Sequence, residues 1–115
     1  MRTALAAIAF IGLTAPAFSQ TDNAADEVSK GHLLAARVCS VCHLAAPDQE
    51  SKPLLQPPGP PFQEIAQRPG LTAEALEKFI TMAHRGLDNP KGMPNPDLAA
   101  YQVKQVAAYI MSLRK

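Results

Sequence analysis

The feature that most constrains the fold of this chain is the pentapeptide Cys39-Ser40-Val41-Cys42-His43. Two thiols separated by two residues, with an imidazole directly after the second, are the attachment signature of a c-type haem. Each thiol can add across one porphyrin vinyl group to form a thioether, and the neighbouring imidazole then lies within reach of the iron. The expected cofactor is one covalently bound haem c, tethered through Cys39 and Cys42 with His43 as an axial ligand to the iron. A chain so tethered has to pack its elements around a large apolar group.

Three other readings of these residues are weaker. A thioredoxin-like site sets its first thiol at a helix N-terminus within a βαβ pattern. Here residues 28–38 read as a helix that precedes the thiols, and no strand pattern surrounds them. A structural zinc takes four nitrogen or sulfur ligands, and only His32 and His84 are left to join the cluster. A disulfide across two residues closes a loop too small to remove much denatured-state entropy.

Residues 1–19 read as a cleaved secretory signal peptide. Arg2 precedes an apolar run from Ala4 to Leu13, and Ala15-Pro16-Ala17 and Ala17-Phe18-Ser19 are small-x-small cleavage sites. The run is well short of the roughly twenty apolar residues that a spanning helix needs. No membrane span is therefore expected after cleavage. Removing the signal takes away Arg2 and leaves ten basic against ten acidic residues, in no long run of one sign. Such a balance supplies no bulk field toward nucleic acid or an anionic membrane.

The remainder suffices for one small domain. Residues 20–27 read as a polar leader and 28–115 as the domain. From Val28 to Ser40, Leu34 and Val38 recur at helical spacing and continue to Val41, so a helix carries the thiols at its C-terminal end. Pro57-Pro58-Gly59-Pro60-Pro61 closes a stretch in which regular helix is excluded. Phe62 to Gln67 allows a short helical turn. Thr72 is a candidate N-cap for a helix with Leu76, Phe79, Ile80 and Ala83 on one face, ended by Gly86. Asn95 as N-cap and Pro96 at the first helical position start a last helix, with Ala99, Val103, Val106, Ile110 and Leu113 as its stripe. No segment alternates as a strand does, and the expected class is all-α.

The second axial position decides the chemistry, because iron with both positions filled by protein favours electron transfer over small-molecule activation. Met93 is the expected second iron ligand. It lies in Gly92-Met93-Pro94, a loop from which a thioether projects inward without disturbing a helix. Met82 and Met111 fall within helices and read as core filling. His84 is the competing ligand, although its place in the last turn of a helix also suits facing the negative end of the dipole or contacting a haem propionate. His32 reads as a solvated surface histidine.

On these residues the chain resembles the class I cytochromes c, specifically the small bacterial periplasmic monohaem members. Beyond the haem motif, Gly31 stands eight residues before Cys39, where the family has a small residue at the crossing of its first and last helices. Val106 and Tyr109 match its partners on the last helix. Gly59-Pro60 matches the loop whose proline carbonyl accepts a hydrogen bond from the haem-ligating histidine, and Met93-Pro94 matches the distal methionine loop. The resemblance implies a fold of three to four helices around one haem, with Pro60 as the hydrogen-bond partner of His43. It also implies a monomeric, periplasmic single-electron carrier with transient donor and acceptor proteins.

Two other uses of such a haem are a cytochrome subunit of a periplasmic dehydrogenase or oxidase, and an enzyme or gas sensor with an open distal site. The chain departs from the family in having Ala35 where an aromatic residue is usual, a space for Leu34 or Tyr101 to fill. It also lacks tryptophan, which leaves Arg68, Arg85 or Tyr101 as candidate partners for the haem propionates.

Overall fold

The computed structural model describes residues 20–82, 84 and 88–115. The expected signal segment lies outside the described residues, as do Ala83, Arg85 and Gly86. Four α-helices are described: α1 (Gln20–Val38), α2 (Phe62–Ala66), α3 (Ala73–Thr81) and α4 (Ala100–Ser112). A single 3₁₀ turn, Cys39–Val41, follows α1. No strand is present among the described residues; the nearest thing is an isolated parallel bridge between His43 and Gly59.

The first helix begins at Gln20 rather than at Val28, so residues 20–27 are helical and not an unstructured leader. Their chemistry explains it. Ala24 and Ala25 are strong helix formers, and the acidic and basic side chains that follow are spaced to pair along the helix. The Lys30 ammonium lies 2.6 Å from the Asp26 carboxylate one turn away, an i,i+4 pair that raises the lysine pKa.

The core forms where α1 crosses α4. Ala35, Val106 and Ala107 are almost fully buried there, joined by Val103, Tyr109 and Ile110. Small residues allow this closeness: a Cβ placed on Gly31 would overlap the Gln105 carbonyl oxygen and come within 2.9 Å of the Tyr109 Cβ. The buried face of α1 is thus Gly31 and Ala35, while Val38 and Val41, expected in the stripe, are exposed at 37% and 49%. Leu34 packs partly against the core beside Ala35, whereas Tyr101 is largely exposed and fills nothing at the crossing.

Thr72 caps α3 as expected, its Oγ1 accepting from the Ala75 N–H at 3.1 Å. Leu76 and Ile80 enter the core, but the helix stops at Thr81 and Met82 is extended. Phe79 and Met82 are both 47% exposed, so neither is core filling. The last helix starts at Ala100, not at Pro96. Asn95 turns back on itself, its Oδ1 accepting from the Asp97 N–H, and Asp97 adopts a positive φ of 54°. That positive φ takes Asp97 out of the helical region, so no helix follows directly on Asn95, and the Gln102 side chain caps the Ala99 N–H instead. Ala99 is consequently exposed and outside the buried stripe.

His32 is not a free surface histidine. Its Nε2 lies 2.7 Å from the Asp48 carboxylate, and its ring stands 5.1 Å from that of Tyr109, whose hydroxyl donates to the Ala45 carbonyl. The His32 hydrogen bond, with a smaller part from the Asp48 backbone N–H, holds the Asp48 carboxyl below the usual carboxylate range. Because the folded-state value is lowered, the contribution to stability is present above the ordinary carboxylate pKa and is lost as pH falls through the lowered value. Asp48→Asn should therefore melt below the parent at neutral pH and converge with it at acid pH, a comparison read from thermal melts. Equal melting points at neutral pH would refute the assignment.

Candidate haem site

The two cysteines lie at the junction between α1 and the loop that follows it. Cys39 opens the 3₁₀ turn, and the Cys42 and His43 N–H groups both bond to the Cys39 carbonyl, at 3.1 and 2.9 Å. This tight turn sets both thiols and the imidazole on one side of the chain. Both thiols are free. Burial, with a lesser contribution from Cys42, pushes the Cys39 thiol up to about 11. It is therefore protonated at neutral pH, and it sits at the C-terminal end of α1, where the dipole disfavours a thiolate. Thioredoxin-type chemistry requires the opposite arrangement.

The proline-rich loop approaches His43 from the other side. Gly59 N–H donates to the Cys42 carbonyl at 2.7 Å, which brings Pro60 alongside the imidazole. His43 Nδ1 lies 2.8 Å from the Pro60 carbonyl oxygen. A carbonyl only accepts, so Nδ1 carries the proton and Nε2 presents its lone pair. Gly59 is required for this approach. A Cβ there would stand 2.6 Å from His43 Cε1 and 2.7 Å from Nδ1.

Cys39, Cys42, His43, Gly59, Pro60 and Met93 line one cleft of about 180 Å³, together with Val38, Leu55, Lys91, Gly92, Pro94 and Pro96. Residues separated by fifty positions in sequence are brought to one place, and apolar groups dominate its walls. A larger cleft of about 590 Å³, bounded by residues 44–47 and 49–52, Pro61, Gln63 and Leu113, contains no thiol, imidazole or thioether. Chemistry, not size, identifies the smaller one. Its donor set fits a covalently held haem: two thiols for the vinyl groups, an imidazole with Nε2 open, and a thioether on the same cleft. Among the described residues no group of three His, Cys, Asp or Glu is placed to hold a bare metal ion.

His84 is not among the residues lining the cleft. Its Nε2 donates to the Phe79 carbonyl at 3.0 Å, and its ring stacks on Phe79 with centroids 3.8 Å apart. Of its two expected roles besides ligation, the one at the helix C-terminus is the one it takes. Of the candidate propionate partners, Arg68 and Tyr101 do not line the cleft and Arg85 lies outside the described residues, whereas Lys91 does line it. Two supporting residues escaped the sequence reading. The Gln49 side chain accepts from the Ala45 and Ala46 N–H groups and donates to the His43 and Ser51 carbonyls, bracing the chain after His43. Arg114 Nε donates to the Ala66 carbonyl and Nη2 to those of Arg68 and Leu71, joining the chain end to the link between α2 and α3. The Arg114 partners lie more than forty positions away, beyond any local pattern, and the Gln49 bonds, though local, depend on how the loop after His43 folds back.

A helical frame whose crossing is closed by glycine, with a CxxCH turn facing a methionine loop, defines a small class I c-type cytochrome. The profile of the family described as Cytochrome c matches residues 28–114, and the chain belongs to that family. Its members are haem-containing electron carriers, and their covalently bound haem c is attached through the motif that Cys39, Cys42 and His43 fit. Among curated relatives, Cytochrome c-552 of Bradyrhizobium diazoefficiens is 34% identical over 100 residues, covering 87% of this chain and 88% of the relative. No solved structure matches the chain.

Proposed function

We propose that this protein is a periplasmic single-electron carrier whose haem c is ligated by His43 and Met93. The observation that carries the reading is that both thiols, the imidazole and the thioether line one apolar cleft. When bound, the haem supplies a one-electron iron couple. Cys39 and Cys42 tether the porphyrin, which keeps it in register with the axial ligands. Pro60 accepts the Nδ1 proton of His43, fixing the ring plane and strengthening Nε2 as a donor. A soft thioether from Met93 favours the reduced state and raises the potential.

With His43 and Met93 both holding the iron, the haem would offer no position for a substrate, and the protein would act as a carrier rather than an enzyme. The sequence of residues 1–19, which reads as a secretory signal, supports export to the periplasm. Among the described residues no helix is long and apolar enough to cross a membrane. The carrier works as a monomer that meets its donor and acceptor transiently, as redox partners do through small interfaces.

Absorption spectra of the haem-loaded protein in both oxidation states test this. The ferric parent should show the far-red band that marks methionine ligation in this family, and Met93→Ala should lose it while its potential falls. A parent without that band, whose ferrous form takes up carbon monoxide as fast as Met93→Ala does, would refute Met93 as ligand.

A further inference from the structure

Among the described residues between Met82 and Ala100, none lies in a helix or strand, so side-chain and backbone bonds must hold the Met93 thioether on the cleft. Two side chains sew this loop to the end of α3. Asn95 Nδ2 donates to the Thr81 carbonyl at 2.9 Å, beyond Met93 in the chain. Before Met93, the His84 imidazole donates from Nε2 to the Phe79 carbonyl at 3.0 Å and lies flat on the Phe79 ring, with 17° between the planes. Phe79 O is near the end of a helix whose last carbonyls lack intrahelical partners. The Phe79 carbonyl also accepts from the Met82 N–H at 3.3 Å, so the ring adds a second donor to it and ties residue 84 to the last turn of α3.

From this anchored position His84 reaches Met93 through its backbone. Its N–H donates to the Met93 carbonyl at 2.9 Å. Its own carbonyl accepts from Asn89 Nδ2 at 3.1 Å. The approach is close: a Cβ on Gly92 would overlap that carbonyl, so the chain just before Met93 lies directly against residue 84. The ring fixes residue 84 to the helix, and the backbone of residue 84 fixes Met93.

We propose that His84 is a positioning residue for the distal ligand: its side chain clamps residue 84 to the end of α3 so that its N–H holds the Met93 carbonyl and keeps the thioether on the iron. This rests on Met93 being the second axial ligand. His84 is thereby neither a rival ligand nor a surface residue without a role. It controls how often the distal position opens, and with it the balance between closed carrier and ligand-binding haem.

The test compares His84→Ala and His84→Gln with the parent, all haem-loaded. Removing one hydrogen bond and one ring stack should raise the population with the thioether displaced about tenfold. Carbon monoxide association with the ferrous protein should then quicken by about the same factor, since it waits for the thioether to leave. The ferric far-red band should weaken, and hydrogen exchange of the amide at position 84 should speed up. His84→Gln keeps an N–H donor and should recover part of the parent behaviour. Helix content by circular dichroism and covalent haem in the denatured chain confirm that folding and attachment are intact.

Unchanged carbon monoxide rates and amide exchange in His84→Ala would overturn the proposal while the parent's band upholds Met93 as ligand. A parent lacking the band would overturn both.

Discussion

Gly31→Val is expected to cost about 3 kcal/mol or more in folding stability, the upper end of what overpacking a core costs. The reason is the identity of the atoms it meets. A Cβ at position 31 would overlap the Gln105 carbonyl oxygen and stand 2.9 Å from the Tyr109 Cβ. The first is helix backbone and the second is fixed to it, so no rotamer change relieves the clash. Only separation of α1 from α4 does so, and that loosens Ala35, Val106 and Ala107 together. Tyr109 moves with them, and its hydroxyl bond to Ala45 ties the crossing to the segment just after His43. Denaturant midpoints of the haem-loaded protein measure the effect, with Gly31→Ala falling between parent and Gly31→Val. An unchanged midpoint for Gly31→Val would show that the crossing is not close.

Gly59→Ala should leave the helices standing and damage the site. Its methyl would meet the His43 ring at 2.6 Å from Cε1 and 2.7 Å from Nδ1, so the imidazole has to tilt. Tilting lengthens the 2.8 Å bond to the Pro60 carbonyl and misaims Nε2. Loss of such a supporting partner weakens a metal–ligand bond by roughly 10–100-fold. The low-spin haem spectrum should therefore disappear at a lower denaturant concentration than the helical signal, whereas the two transitions coincide in the parent. Coincident transitions at the parental midpoint in Gly59→Ala would sink this account. The two glycine variants separate the frame from the site: the first unfolds the chain globally, the second releases the imidazole.

The site was more legible than the details of the fold. Cys39, Cys42 and His43 are contiguous, so their joint chemistry can be read without knowing any tertiary contact. Met93 stands out because a loop methionine before a proline can turn inward, and the structure places it on the cleft with His43. Pro60 came only through the family resemblance, and the 2.8 Å contact agrees with it. Helix ends were harder to read, since they depend on competition between local bonds. Asn95 was expected to cap α4, yet Asp97 after it takes a positive φ and the helix starts only at Ala100. Val38 and Val41 matched helical spacing, but the crossing with α4 selects Gly31 and Ala35 because only small residues allow the backbones to meet.

The roles of the histidines show the same division. All three are plain in the chain, and only His43 carries its meaning in its neighbours. His32 acquires Asp48 and Tyr109, and His84 acquires Phe79 and the Met93 carbonyl, through folding alone. Covalent attachment and the all-α class were decided by the sequence, because thiol spacing and apolar periodicity are local properties. Which carbonyl holds the imidazole, how closely α1 and α4 meet, and what keeps the distal loop in place were decided by the tertiary structure. Each of these joins residues far apart in the chain, and a hydrogen bond or a steric limit exists only once the fold has brought its two sides within reach.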